Sequence, residues 1–312
     1  MKKDKPIVIT MGTFDGVHIG HQHLLRTLIN EANKIGGIPT VLTYYHHPLE
    51  TLNKIVTPYL LTEKHEKEKI LKKYGIQRVE FLKFDKQLSE LSPLDFIKEI
   101  LVKQLNAKII VVGYDTHFGI NRTGNYDLLK KYEIEFGYKI IRVNPHYYKD
   151  EIITSSHIRE LVKQGKIEEV NQLQGHFFSV CGKVVHGDNL GYKMGFPTVN
   201  LQPNDPHKLY PNKGIYVSAI KIGDKVYFGM TNVGVSPTIK TTSEVQIETY
   251  IFDFEKDVYD NLLSVIFFKR IRDEIKFDSK EALIEQIEID IKIGKKLVNE
   301  KFMHLVKNNL II

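Results

Sequence analysis

The strongest constraint on this chain is a strand-to-helix turn close to its first residues. The run Ile7–Ile9 is apolar and β-branched, the loop after it contains Gly12 and Gly16, and His18 and His21 precede apolar residues at helical spacing. This pattern predicts a strand, a glycine turn and a helix whose first turn carries imidazoles. A helix N-terminus attracts phosphate, and histidines there can bind a phosphoryl oxygen. The alternative is an ordinary α/β turn with surface histidines.

Length and composition set broad limits. With 312 residues, 42% of them hydrophobic, the chain is expected to form two domains. Its 44 Lys and Arg against 38 Asp and Glu give a net charge of +6, which suits anionic ligands such as nucleotides. The charges are scattered rather than gathered in a basic tract, so nucleic acid is not expected as the main partner.

Cysteine content and hydropathy indicate the compartment. The single cysteine, Cys181, excludes an internal disulfide and a multi-cysteine zinc site. No apolar run approaches the roughly 18 residues of a membrane span, and the first residues lack a signal peptide's apolar stretch. We therefore expect a cytoplasmic protein without a membrane partner. The sequence does not indicate an oligomeric state.

The pattern of elements changes half-way along the chain. Residues 7–145 alternate strand and helix patterns, which predicts a parallel sheet covered on both faces. After Gly175, short runs rich in Val, Ile, Tyr and Phe are divided by turn residues, which predicts an antiparallel β-barrel of the six-stranded type. A long charged helix over about 279–306 follows. The predicted fold class is α/β followed by β.

Two short helices separate these regions, at His157–Gln164 and Ile167–Leu173. They are expected to close the first domain. The sequence therefore predicts an N-terminal domain over residues 1–175 and a C-terminal domain over residues 176–312.

The first motif resembles a known family. Its pattern Gly-x-Phe-Asp-Gly-x-His-x-Gly-His is similar to the His-x-Gly-His signature of nucleotidyltransferases, in the version found in bacterial bifunctional riboflavin kinase/FMN adenylyltransferases. The resemblance implies a Rossmann-like domain that transfers the adenylyl group of ATP to FMN. It also implies a catalytic histidine pair and three ATP contacts: His18 and His21, and Gly12, Phe14 and Gly20.

A second segment offers a partner for the phosphates. Ser155 and Ser156 stand at a predicted helix start, and Arg159 follows one turn later on the same face. Hydroxyls there can cap the helix or bind phosphate, and the arginine favours a triphosphate clamp over plain capping. The segment is similar to the Ser-Ser-Thr-x-x-Arg motif of the superfamily, which implies ATP contacts for the serines and a catalytic role for Arg159.

The resemblance also implies a flavin side to this site. It assigns flavin contacts to His47, which follows the second strand, and to Asp115 and Phe118 after a buried strand. Read from the residues alone, both segments are also ordinary turns. Tyr45, His46 and Thr116 depart from the family pattern here.

In the second domain, the stretch 182–201 resembles the riboflavin kinase signature. Thr198 and Asn200 stand two apart on a predicted strand, so both side chains can reach one metal ion and its phosphates. The resemblance implies ATP contacts at Gly187, Gly195, Thr198 and Asn200, with Mg²⁺ on the last two. Without it, the segment would be an edge strand after a proline.

Glu248 falls where the family has its base for the riboflavin 5′-hydroxyl. A carboxylate near an alcohol that faces a γ-phosphate can orient the alcohol and take its proton. Arg270 lies in a stretch similar to the family's Arg-x-Arg-Asp-Glu-x-Lys-Phe and is assigned to flavin binding, with surface salt bridges as the alternative. Tyr192 and Asp260 depart from the family pattern.

The sequence as a whole predicts a bifunctional enzyme with riboflavin, FMN and ATP as substrates. The barrel would phosphorylate riboflavin, and the N-terminal domain would convert FMN to FAD and pyrophosphate. One alternative is an FMN adenylyltransferase whose kinase-like barrel only binds flavin or regulates. Another is a non-catalytic flavin- or RNA-binding protein, which would not need His18, His21, Arg159 and Glu248 together.

Overall fold

The computed structural model describes residues 5–45, 59–187, 190–235 and 245–307. They form two compact units, Met1–Ser155 and Ser156–Ile312, called here the sheet unit and the barrel unit.

The sheet unit is built on five parallel strands: β1 (Ile7–Met11), β2 (Ile38–Tyr44), β3 (Arg78–Leu82), β4 (Ala107–Gly113) and β5 (Lys139–Val143). Their order is β3-β2-β1-β4-β5, so the chain leaves β1 to one side and later returns to its other side. Ligands of open α/β sheets bind beyond the carboxyl ends of the strands at such a switch point. The predicted parallel sheet is confirmed.

Helices cover this sheet: α1 (Ile19–Lys34), α2 (Lys64–Lys73), α3 (Lys86–Ser89), α4 (Pro93–Asp95, continuing as a π-helix over Phe96–Gln104), α5 (Tyr126–Lys131) and α6 (Glu133–Phe136). Ser92 caps α4, because its side chain accepts a hydrogen bond from the Asp95 N–H and Pro93 occupies the first turn. A small hairpin of β6 (Tyr147–Tyr148) and β7 (Glu151–Ile152) follows.

The barrel unit begins at Ser156, within α7 (Ser155–Lys163). Its elements are α8 (Ile167–Gln174), β8 (Phe178–Val185), α9 (Leu190–Lys193), β9 (Thr198–Pro203), β10 (Gly214–Ile222), β11 (Lys225–Val235), β12 (Val245–Ile251), β13 (Leu262–Arg272) and α10 (Lys280–Leu297, continuing through Val298–Phe302 and Met303–Lys307). The six strands close in the order β10-β11-β12-β9-β8-β13. The predicted barrel and terminal helix are confirmed. Across the described ranges, no helix is both long and apolar enough to cross a membrane.

Alternation along the strands separates an inner from an outer face. The inner face carries a ladder of hydroxyls, in which Ser218 Oγ lies 2.6 Å from Thr231 Oγ1 and the latter lies 2.9 Å from Thr249 Oγ1. The outer face carries apolar residues that pack against α10, among them Met230, Phe252 and Phe268. Side chains next to the hydroxyl ladder in sequence therefore point outward.

The two short helices pack on the barrel. Asn171 on α8 donates to the carbonyl of Phe267 at 2.9 Å and accepts from the N–H of Phe178 at 2.8 Å. The N–H of Asn212 donates to the carbonyl of Val162 on α7 at 3.1 Å. The helices were expected to close the first domain and are instead grouped with the barrel, because α8 supplies an amide side chain to its strands. A functional boundary near residue 175 stays a prediction.

A buried ion pair attaches α10 to the barrel. Arg272 Nη2 and Nε lie 2.6 and 3.0 Å from Asp290 Oδ2, and Gln286 donates to Oδ1 at 3.0 Å. Asp290 is 4% exposed, so its charge depends on these partners. Surface salt bridges were the alternative role for the stretch that contains Arg270 and Arg272. Arg272 does form a salt bridge, but its partner carboxylate is buried.

We expect Arg272→Leu to lower the free energy of unfolding of the barrel unit by about 3 kcal/mol, because the Asp290 carboxylate is left buried without its cation. Urea denaturation followed by circular dichroism measures this. Arg78→Leu is the control, since it breaks the more exposed Arg78–Glu80 pair and should cost less than about 1 kcal/mol. Equal midpoints for both variants would contradict the assignment.

Candidate active sites

The loop between β1 and α1 is fixed by a buried aspartate. The Asp15 carboxylate, 1% exposed, accepts from the backbone N–H groups of Leu61 and Thr62 at 3.0 and 2.9 Å. Phe14 and Val17 on either side have φ values of 48° and 36°, in the left-handed region that non-glycine residues rarely adopt. The Asp15 contacts hold this costly loop in one shape.

The two histidines meet at the start of α1. His18 is the N-cap, and its Nδ1 accepts from the N–H of His21 at 3.3 Å. Their rings stack with centroids 3.7 Å apart, and the Phe14 ring lies 5.0 Å from that of His21. The predicted placement of two imidazoles at a helix start after a glycine turn is confirmed.

Burial keeps one of these imidazoles neutral. It lowers the pKa of His21 well below its usual value, and the nearby His18 and Lys67 lower it further. The Nδ1 atom of His21 is buried and, among the residues that the structure describes, has no hydrogen-bond partner. His21 therefore carries a buried polar atom without a partner among the described residues, and the charge of an anionic ligand beside the ring would raise its pKa again.

Gly20 leaves room for the His18 ring. A Cβ on Gly20 would lie 3.1 Å from His18 Nδ1 and 3.7 Å from the carbonyl of Ile153. A Cβ on Gly12 would lie 3.2 Å from the Phe14 ring. A side chain at either glycine would thus crowd a neighbouring ring, and the ATP contacts of both glycines stay predictions.

The start of α7 is joined to the same loop. Ser155 Oγ donates to the carbonyl of Asp15 at 2.9 Å, across 140 residues of sequence. Ser156 is exposed, and Arg159, one turn further along α7, is 5% exposed. The structure therefore brings Ser155 to the loop between β1 and α1, and Arg159 is a buried cation on the helix that Ser155 begins.

Sequence reasoning missed Lys67 on α2. Its Nζ donates to the carbonyl of Thr13 at 2.9 Å, and the residue is 9% exposed. The available signal was its position three and four residues before Ile70 and Leu71, which places it on the buried face of the helix. In a helix with many lysines that signal is weak.

In the barrel unit, strand pairing aligns the predicted kinase residues. Glu248 on β12 stands directly opposite Asn200 on β9, and Thr198 lies two residues before Asn200 on the same face. On its other side Glu248 stands opposite Asn232 on β11. These side chains lie on the outer face of the barrel. The alternative interpretation of the segment with Thr198 and Asn200 as an edge strand is wrong, because β9 pairs with β12 on one side and with β8 on the other.

Two glycines surround the proposed metal ligands. A Cβ on Gly187 would lie 2.2 Å from Asn200 Nδ2, and a Cβ on Gly191 would lie 3.3 Å from Thr198 Oγ1. Gly195 has a φ of 87°, which favours glycine. Thr198 and Asn200 offer neutral oxygen donors, which fits a Mg²⁺ ion that is bound mainly by nucleotide phosphates and water.

The comparisons with known proteins match both halves. The FAD synthetase model matches residues 1–157, and the riboflavin kinase model matches residues 174–298. The chain belongs to the bifunctional riboflavin kinase/FMN adenylyltransferase family. A curated relative of that name from Buchnera aphidicola (subsp. Schizaphis graminum) is 36% identical, and the match covers 93% of this chain and 94% of the relative. A second, from Escherichia coli K12, is 34% identical, and the match covers 96% of this chain and 94% of the relative.

One solved structure covers the same length. A crystal structure described as a macrolide-efflux protein from Streptococcus pneumoniae is 32% identical, covers 95% of both chains and superposes with a TM-score of 0.84. The fold described above is thus shared along almost the whole chain.

The loop that the family uses on the flavin side is partly core in this chain. Asp115 is exposed, whereas Phe118 is 4% exposed and packs against Phe96 with ring centroids 5.4 Å apart. A Cβ on Gly124 would lie 2.6 Å from the Phe118 ring. The burial of Phe118 argues against a stacking contact and favours support of the loop. His47 lies outside the described residues.

Arg270, the other flavin candidate, is not brought next to Glu248. It stands opposite the inner-face residue Tyr216, donates to the carbonyl of Lys213 and pairs with Asp273 at 2.5 Å. Burial raises the pKa of Tyr216 to about 12, despite this neighbouring guanidinium. A register shift in β13 places Arg270 and Arg272 opposite successive residues of β10. Arg270 therefore stands opposite an inner-face residue, although Arg272, two residues later, points outward. A flavin contact of Arg270 stays a prediction.

The departures from the family pattern are accommodated locally. Asp260 has a φ of 62°, which aspartate tolerates, and its carboxylate lies 2.8 Å from Lys183 Nζ. The hydrogen bond and charge of Lys183 lower the pKa of Asp260. Tyr192 is 75% exposed. Neither residue distorts the positions of Glu248 and Asn200.

Proposed function

We propose that the barrel unit phosphorylates riboflavin with ATP to give FMN, and that the sheet unit adenylylates FMN with a second ATP to give FAD and pyrophosphate. The observation that carries this proposal is the pairing of Glu248 with Asn200 in one unit and of His18 with His21 in the other. Each pair has the chemistry that one of the two transfers needs.

Phosphorylation needs a base and neutralised phosphates. Glu248 accepts the proton of the riboflavin 5′-hydroxyl. The hydroxyl oxygen attacks the γ-phosphorus of ATP, and ADP leaves. Thr198 and Asn200 would hold a Mg²⁺ ion, and Gly187 and Gly195 let the loop approach the nucleotide phosphates. Such an ion would supply charge neutralisation at these phosphates.

Adenylyl transfer needs positioning and charge stabilisation without a protein nucleophile. A phosphate oxygen of FMN attacks the α-phosphorus of ATP, and the bond to pyrophosphate breaks. His18 and His21 stabilise the α-phosphoryl group during transfer, while Ser155, Ser156 and Arg159 hold the leaving pyrophosphate. The flavin side is assigned to Asp115 and His47, with Phe118 in support. Because both reactions use ATP, we place the protein in the cytoplasm.

One assay tests the whole proposal. The full chain is incubated with riboflavin, Mg²⁺ and ATP, and the flavins are separated by chromatography. Accumulation of both FMN and FAD is expected. If FAD forms from supplied FMN but riboflavin gives no product, the protein is an adenylyltransferase whose barrel only binds flavin or regulates. No turnover of either flavin would overturn both enzyme assignments.

The lowered pKa of His21 predicts proton uptake when ATP binds. The free imidazole is neutral near pH 7, and the charge of a bound triphosphate raises its pKa, so a proton is taken up and affinity falls as pH rises through the raised value. Titration calorimetry at pH 6.5 in two buffers of different ionisation enthalpy measures this uptake. His21→Gln should remove it and His23→Gln should retain it. Equal uptake by wild type and His21→Gln would contradict the prediction.

A further inference from the structure

Asn232 has a buried polar atom that the reaction described above does not use. Its Oδ1 is buried and has no hydrogen-bond partner within the described residues. A buried amide oxygen left without a partner costs free energy, so its retention requires a reason. The position of the atom supplies one.

Strand register places Asn232 in line with the proposed kinase residues. It stands directly opposite Glu248 on β12, which stands directly opposite Asn200 on β9. Directly opposed residues of antiparallel strands have Cβ atoms about 5 Å apart on the same face. We call these three side chains the polar row. Glu248 at its centre has an amide side chain on either side.

The surroundings of Asn232 orient its amide. A Cβ on Gly234 would lie 3.4 Å from Asn232 Nδ2 and 2.4 Å from a carboxylate oxygen of Glu274. The amide nitrogen, a donor, is therefore on the side of a carboxylate, which is an acceptor. The buried oxygen is the atom left without a partner among the described residues, and it needs a donor such as a hydroxyl.

We propose that Asn232 is a positioning residue of the kinase reaction, whose amide oxygen accepts a hydrogen bond from a second hydroxyl of the substrate's polyol chain. The inference rests on the proposed function of Glu248. Asn200, on one side of Glu248, is assigned to the nucleotide phosphates. Asn232, on the other side of Glu248, therefore lies where the acceptor alcohol would bind. A polyol laid along the row places one hydroxyl on Glu248 and a neighbouring hydroxyl on Asn232.

The test compares variants by steady-state kinetics. Asn232→Leu keeps the size of the side chain and removes the acceptor, and we expect kcat/KM for riboflavin to fall about tenfold, the effect of one hydrogen bond. The KM for ATP and the conversion of FMN to FAD by the same chain should not change. Gln202→Leu is the control, since it makes the same replacement at an exposed position of β9.

A second variant reports proximity. Asn232→Asp keeps an acceptor oxygen and adds a carboxylate beside Glu248, which makes Glu248 harder to ionise. The acidic limb of the kcat/KM profile should therefore move to higher pH, which would show that residue 232 lies beside the base in the working enzyme.

Kinetics of Asn232→Leu within twofold of wild type would overturn the inference, as would an unmoved acidic limb in Asn232→Asp. If Asn232→Leu also loses FMN-to-FAD conversion, the protein is misfolded and Asn232→Asp alone decides. Failure of wild type to make FMN would instead refute the proposed function.

Discussion

Glu248→Gln is expected to stop the formation of FMN from riboflavin while the conversion of FMN to FAD continues. The replacement keeps the shape of the side chain and its place opposite Asn200, but it removes the carboxylate that takes the alcohol proton. Loss of a general base lowers the rate by about 10²- to 10⁴-fold. Chromatography of the products, first from riboflavin and then from FMN, measures the two activities in one sample.

Glu255→Gln is the matched control, because Glu255 is an exposed carboxylate of the same unit that lies outside the polar row. It should leave both activities unchanged. FMN formation by Glu248→Gln within tenfold of wild type would remove Glu248 from the role of base. Loss of both activities in a folded Glu248→Gln protein would show that the two reactions do not have separate sites.

His21→Ala is expected to give the reverse result. It removes an imidazole from the start of α1, where we propose that the α-phosphoryl group is held, and losing one preorganised donor to a developing charge lowers the rate by about 10²- to 10³-fold. The backbone N–H of residue 21 can still donate to His18 Nδ1, so the cap of α1 is kept. FAD formation from FMN should collapse, and FMN formation from riboflavin should remain.

His23→Ala is the control for this variant. His23 lies on the same helix, and its ring stacks instead on His146, with centroids 5.4 Å apart. Its loss should change FAD formation by less than about tenfold. If His23→Ala were as damaging as His21→Ala, the effect would come from disturbing α1 and not from the chemistry of one imidazole.

The sequence predicted local elements well where turn residues bounded them. The strands Lys139–Val143 and Phe178–Val185 each follow a glycine-containing break and carry β-branched or aromatic residues, which is the pattern from which strands are predicted. The helix start at His18 was predictable for the same reason. Glycines and a cap fix the local backbone before any distant contact forms.

Features that depend on distant contacts were not predictable. The register that sets Glu248 beside both Asn200 and Asn232 arises from the closure of six strands, which no local pattern specifies. The burial of Phe118 depends on Phe96 from another helix. Lys67 is buried because it reaches a carbonyl 54 residues away. In each case the decisive partner lies far away in the sequence.

The clamp formed by Asp15 ties the histidine-bearing loop to a distant part of the chain. Leu61 and Thr62 lie 46 and 47 residues from Asp15, and both bind its carboxylate through backbone N–H groups. The Thr62 hydroxyl also donates to Asp15 Oδ1 at 3.2 Å and accepts from the N–H of Gly16 at 3.0 Å. The backbone donors would survive most substitutions other than proline, but the side chains of Asp15 and Thr62 act as a pair. A change at residue 15 or at residue 62 would therefore loosen the loop, so these two positions are expected to tolerate substitution only together.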